Sequence, residues 1–165
     1  VRQINWRFFL EAILPALLPR STAGRLVAAA LFAAALPALA EAPLPVSNVR
    51  VAGHALRVEV VATMEQRAKG LMFRKKLGKN DGMLFVFEEP AYHAMWMKNT
   101  LIPLSVAFID GEGRILNIAD MEPETLDSHA AAGPARFAIE TNKGWFAERK
   151  VVAGSKVTGL PKLAK

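Results

Sequence analysis

Cysteine is absent from the 165 residues, which excludes a disulfide scaffold, thiol catalysis and cysteine-ligated zinc. Histidine is scarce. His54, His93 and His129 are the whole set, they lie far apart, and no HExxH spacing occurs, so nothing in them points to zinc. Asp127-Ser128-His129 contains triad residue types, but side chains adjacent in sequence do not form the required relay, and the string reads as a solvated loop. The glycines are scattered, so no phosphate-cradling loop is present. The longest clean apolar run, Leu26–Ala40, is short of the ~20 residues that a bilayer span needs.

What the chain does have is apolar substance. Hydrophobic residues make up 52% against 22% charged, a globular balance with room for one domain and a real core. Without cysteine, that core alone must hold the fold.

Residues 1–40 differ from the rest. Arg2, Arg7, Arg20 and Arg25 precede or begin the alanine- and leucine-rich run, which closes on Ala38-Leu39-Ala40 before Glu41. That is the arrangement of a secretory signal cleaved after Ala40, with an uncleaved N-terminal anchor as the alternative, since Trp6–Pro19 is also apolar. Val1 in place of methionine suggests a non-ATG or misplaced start. Removing the leader takes away four arginines and Glu11, and the net charge falls from +6 to +3. Such a charge is no nucleic-acid footprint. The expected location is periplasmic or secreted, with membrane contact only if the leader stays attached.

Glu41–Ser47 carries two prolines and reads as a linker, leaving residues 48–165 as a single domain. Leu56, Val58, Val60 and Ala62 alternate, which predicts a half-buried strand paired through Gly53 with Val49–Val51. Thr63-Met64-Glu65-Gln66 has the form of a capping box. Met64, Ala68, Leu71 and Met72 then follow at helical spacing, predicting an amphipathic helix to about Lys76 with these residues facing the core. Strands are expected at Met83–Phe87, Tyr92–Lys98, Leu104–Ile109, Arg114–Asp120, Ala135–Thr141 and Lys156–Leu160. Asp110-Gly111-Glu112-Gly113 supplies the turn between the third and fourth of these. Glu122–Pro134 has no period and reads as a long loop, of the kind often functional or mobile. Asn142–Lys150 resembles a short helical turn. The expected class is α+β: a compact, β-rich, barrel-like and mainly antiparallel sheet with one or two short helices.

Several strings together carry a family resemblance: Gly70-Leu71-Met72, Gly82-Met83-Leu84-Phe85-Val86-Phe87, Trp96-Met97-Lys98-Asn99-Thr100 and Ile102-Pro103-Leu104. The chain resembles the domain of unknown function 192 family, also called uncharacterised protein family 0127, over about residues 48–160. The resemblance implies a barrel-like β domain, commonly behind a signal peptide, and no established activity. The family usually places an aspartate where this chain has Ser105, whereas Glu140 matches the family's glutamate. A serine still accepts and donates hydrogen bonds, so a binding or structural role survives that change better than a catalytic one.

Three functional readings stand side by side. In the first, Trp96 is a stacking platform and Lys98, Asn99, Thr100 and Glu140 supply polar contacts to a small polar ligand or an envelope protein. Arg67 and Arg74, seven apart on one helical stripe, add a possible anion clamp. No cofactor is called for. In the second, the protein is a cell-envelope or sugar-directed hydrolase using Glu140 and a nearby aspartate as acid and base. In the third, His93, Met95 and Met97 share a strand face and bind Cu(I), which favours thioether and imidazole donors. The bland counterpart is a packed strand ending in a turn that Asn99 specifies.

Overall fold

The computed structural model describes residues 42–162. The leader, with its cleavage point after Ala40, lies outside the described residues. Among those described, no helix is long and apolar enough to cross a membrane.

The alternating residues pair as anticipated. β1 (Val46–Val51) and β2 (His54–Val61) form an antiparallel hairpin in register Val51↔His54. Ala52 and Gly53 turn it with φ of 48° and 86°. β1 begins at Val46, inside the segment read as a linker. Thr63 then caps α1 (Met64–Lys69): its side chain accepts from the Gln66 N–H at 3.2 Å, and Gln66 Oε1 accepts from the Thr63 N–H at 3.3 Å.

The helix departs from its expected length and from its expected face. It ends at Gly70, whose φ is 48°, and the chain then turns so that Leu71 is buried and the Phe73 N–H reaches the Asn99 carbonyl at 2.8 Å. None of the helical residues is buried, and Met64 is 79% exposed. The apolar spacing of Met64 and Ala68 therefore marks a helix face that does not join the core.

β3 (Asp81–Ala91) is covered on both sides, as a continuous apolar run requires. Met83, Phe85 and Phe87 pack on one face and Leu84 and Val86 on the other. It runs parallel to β2, the one parallel pairing among the described residues, reached through α1. Tyr92–Lys98 is a strand only at β4 (Ala94–Met95), which pairs with β7 (His129–Ala130) in a two-stranded ribbon. Past Met95 the backbone leaves ladder geometry, because the Met97 N–H bonds to the Thr125 carbonyl at 3.1 Å and Asn99 takes φ 56°.

β5 (Leu104–Ile109), β6 (Ile115–Met121), β8 (Ala135–Asn142) and β9 (Val157–Thr158) complete the main sheet, with the short helix α2 (Trp145–Glu148) between the last two. The seven-stranded order is β6-β5-β8-β3-β2-β1-β9. It curls into a half-barrel whose edges meet at one end. There Arg114 bridges Lys156, the Ile115 N–H bonds to the Ser155 carbonyl at 3.0 Å, and the Val157 N–H bonds to the Gly113 carbonyl at 2.8 Å. The α+β, mainly antiparallel and barrel-like class is the observed one.

Two apolar clusters follow from strand alternation. The inner one gathers residues such as Val49, Leu56, Leu84, Ile109, Phe137, Ile139 and Phe146. The outer one gathers Leu71, Met83, Phe85, Met97, Val106, Phe108 and Met121. Gly82 lets β3 approach β8 closely: a Cβ there would stand 2.6 Å from the Glu140 carbonyl oxygen.

Candidate functional site

Along β8, Phe137 and Ile139 point to the inner cluster, so Glu140 points outward. Its neighbours across the ladders are Met83 on β3 and Val106 on β5, both fully buried. The carboxyl thus sits between apolar walls, only 5% exposed. Its carboxyl has no hydrogen-bond or ion-pair partner among the described residues, and its oxygens are not among the wholly enclosed atoms. Burial pushes its pKa up to about 8, because the ionised form has lost its water and gained nothing in return. At neutral pH the group is mainly the protonated acid, a hydrogen-bond donor.

Glu140 faces a cavity of about 280 Å³. Phe85 and Phe87 of β3 form its floor, and Ala94, Met95 and Trp96 one wall. Met64, Arg67 and Ala68 of α1, with Gly70, Leu71 and Met72, form the other. The exposed face of α1 is therefore a cavity wall. Thr100 lines the space too, buried, its hydroxyl making only a long 3.4 Å contact to the Lys98 carbonyl. Glu140 is the one carboxyl among the described lining residues.

The turn that carries Trp96 is built as its composition suggests. The Thr100 N–H bonds to the Met97 carbonyl at 3.0 Å, with Asn99 left-handed. Asn99 Nδ2 lies 3.9 Å from Met72 Sδ, tying the turn to the opposite wall. Trp96 is 51% exposed, and Lys98 Nζ stands 5.5 Å from its ring centroid. The Glu122–Pro134 loop holds this turn from behind. Besides the Thr125 carbonyl, it contributes the Glu124 N–H, bonded to the Thr100 carbonyl at 3.1 Å. Its residues do not line the cavity.

Of the residues singled out in the sequence, Trp96, Thr100, Glu140 and Arg67 meet at this cavity; Lys98 and Asn99 border it. Arg74 does not join them. Because α1 ends at Lys69, Arg67 and Arg74 share no helical stripe. Arg67 donates to the carbonyls of Ala62 and Val86, the latter at 3.0 Å, and lies 3.6 Å from Glu88. Arg74 pairs bidentately with Glu59 at 2.8 and 2.5 Å in a separate cleft lined also by Pro43 and Arg57. The clamp of two arginines is not assembled.

The copper arrangement loses its shared strand face. His93 stacks on Phe87 with ring centroids 3.6 Å apart, its Nε2 3.0 Å from the Glu89 carbonyl. Met97 is buried in the outer cluster beyond the end of β4, and only Met95 reaches the cavity. Ser105, at the family's aspartate position, is also buried and lies opposite Thr141, not Glu140. It donates to Asp120 Oδ1 at 2.5 Å and accepts from the Gly144 N–H at 2.9 Å. That aspartate is thus held at another place and does not line the cavity of Glu140. Phe85 and Phe87 were legible only as packing residues, Met95 only as a copper ligand, and Met64 and Ala68 only as core. Nothing local distinguishes an apolar face on the core from one on a cavity.

Comparison with known proteins agrees with the fold and leaves the activity open. The family model DUF192, described as "Uncharacterized ACR", matches residues 47–159. A crystal structure of a protein of unknown function from Novosphingobium aromaticivorans is 37% identical, with a TM-score of 0.67 over 72% of this chain and 93% of that one. A putative transcription regulator from Sinorhizobium meliloti is 32% identical, with a TM-score of 0.70 over 73% of this chain and 98% of that one. No curated protein matches.

Proposed function

The chain belongs to the uncharacterised DUF192 family, and from that premise we propose that its domain is a non-catalytic binder of a small ligand, held between Glu140 and Trp96. The observation that carries the reading is the buried, partnerless Glu140 carboxyl facing a cavity. Burying such a group without a partner costs stability, on the order of 1–3 kcal/mol from mutational series. A leucine there would serve the fold better, so the carboxyl is explained by something that arrives to meet it. The half-exposed indole of Trp96 offers a stacking face beside it. The leader-like residues 1–40 support a place of action outside the cytoplasm.

The test is a thermal-shift panel on the full chain with sugars, nucleotides, organic acids and amines. A ligand at 100 times its dissociation constant adds about 2.7 kcal/mol. A hit that disappears in Trp96→Ala supports the reading. Silence across the panel refutes a small-molecule site and leaves protein partners as the next place to look.

One observation favours a hydrolase as a second reading: Glu140 keeps its proton at neutral pH, as a general acid must. Against it, no second carboxylate lines the cavity among the described residues, and glycosidase chemistry needs a pair roughly 5–9 Å apart. Turnover of any hit that vanishes in Glu140→Gln while binding persists would reverse this preference.

A further inference from the structure

The cations of the chain are concentrated in one stretch. Residues 66–80 carry six lysines and arginines and no acid, whereas the rest of the described chain holds ten against thirteen acids. Were α1 to reach Lys76, the later cations would complement its dipole, but it ends at Gly70 and they fall in the loop beyond. Arg67 is taken by Glu88 and Arg74 by Glu59. Lys75, Lys76 and Lys79 are exposed and make no ion pair among the described residues.

Phe73 heads the same loop, 64% exposed and with a φ of 64°. A bulky residue rarely takes that left-handed backbone, which costs stability, and no burial of the ring offsets the cost. The loop is nonetheless fixed. The Phe73 N–H bonds to the Asn99 carbonyl, and Arg74 is clamped on Glu59. Asn142 Nδ2 donates to the carbonyls of Leu77 and Gly78 at 3.3 and 2.9 Å. The fold therefore holds the phenyl ring and the three lysines outward.

We propose that the 73–79 loop docks the domain on an anionic phospholipid surface, with Phe73 entering the interface and Lys75, Lys76 and Lys79 meeting headgroup phosphates. This goes beyond the ligand reading and does not depend on it. A lipid surface uses both parts of the loop, burying the ring below the headgroups and attracting the lysines. A nucleic-acid duplex would take up the lysines and leave the ring in water. The acid excess over the rest of the described chain opposes contact elsewhere, so one loop sets the orientation.

The chain has no cysteine, so one introduced by substitution carries a label alone. Phe73→Cys in the full chain, with a nitrobenzoxadiazole dye standing in for the ring, is mixed with vesicles. These are phosphatidylglycerol and phosphatidylcholine in equal parts, or phosphatidylcholine alone. The dye is expected to shift to the blue and escape iodide quenching on the mixed vesicles only, and to return to water at high salt. The same dye at exposed Val152, through Val152→Cys, stays quenchable, which separates loop docking from attachment through residues 1–40. Lys75→Ala, Lys76→Ala and Lys79→Ala combined should raise the lipid needed for half protection on the order of a hundredfold, at roughly fivefold per lysine. Phe73→Gly relieves the left-handed backbone and should melt at or above the wild-type temperature. A clear fall there would show the ring serving the fold, and would overturn the proposal. So would a dye at 73 that stays quenchable, equal protection at 152, indifference to the three alanines, or protection by a DNA duplex in place of vesicles.

Discussion

β8 serves two faces of one sheet, and the two are finished differently. Inward, Phe137 and Ile139 meet side chains from strands right around the half-barrel, and every member of that cluster is an apolar residue. Outward, Ala138 and Glu140 are covered by short pieces: a helix of six residues, the two-residue strands β4 and β7, and the turn at Met97–Thr100. Such a cover has few hydrogen bonds of its own, which is where a fold leaves room for a ligand and for local opening. The comparison teaches that one face is closed by apolar packing alone, while the other buries an acid beside its apolar residues.

Truncating the inner face should cost most. Phe137→Ala is expected to lose about 3–5 kcal/mol in urea denaturation, while the folded fraction keeps its affinity for any Trp96-dependent ligand. A loss under 1 kcal/mol would show that the inner cluster is not the main support. On the outer face the effect depends on pH. The folded pKa of Glu140 is raised, so the unfolded chain releases the proton first and stability falls as pH climbs from the ordinary carboxyl range to about 8. Relative to Glu140→Leu, wild type should lose up to about 4 kcal/mol over that window, and little more above it. Parallel stability curves for the two proteins would mean that the carboxyl has found a partner.

Smaller effects sharpen the contrast at its edges. Ser105→Ala removes the acceptor of the Gly144 N–H and the donor to Asp120, and is expected to cost about 1–3 kcal/mol without altering the Glu140 pH profile. Ser105→Asp restores the family's residue but sets it opposite Asp120. It should destabilise alone and recover with Asp120→Ser, measured as a double-mutant cycle. Thr63→Ala removes the cap of the cavity's helical wall and should cost about 1 kcal/mol, with a larger loss in ligand affinity than in melting temperature if α1 opens locally.

The elements were legible where their causes are local. Asp110 was expected to turn β5 into β6, and its Oδ1 accepts from the N–H groups of Glu112 and Arg114 at 2.9 and 2.8 Å. The capping box at Thr63 formed as read, and so did the alternation from Leu56 to Val60, but Val61 is buried on the other face and Ala62 lies exposed beyond the strand. The overlong helix and the overlong strand at Tyr92–Lys98 share a cause. Each is cut short by a bond to a distant segment, Phe73 to Asn99 in one case and Met97 to Thr125 in the other. Of the site, Trp96, Thr100 and Glu140 were recognisable as polar or aromatic groups near strand ends. That they face one cavity was not.

Sequence alone determined the longer strands, the capping box, the hairpin turns and the mainly antiparallel class, because those depend on backbone bonding and side-chain alternation over a few residues. Only the tertiary structure decided that Glu140 lies partnerless beside α1 while the adjacent Thr141 lies opposite Ser105, and that Arg67 and Arg74 part company. Those outcomes depend on which distant segments cover each face of the sheet. A carboxyl's charge state follows from whatever surrounds it, and residues 64–72, 85–87 and 94–100 surround this one only after the chain has folded.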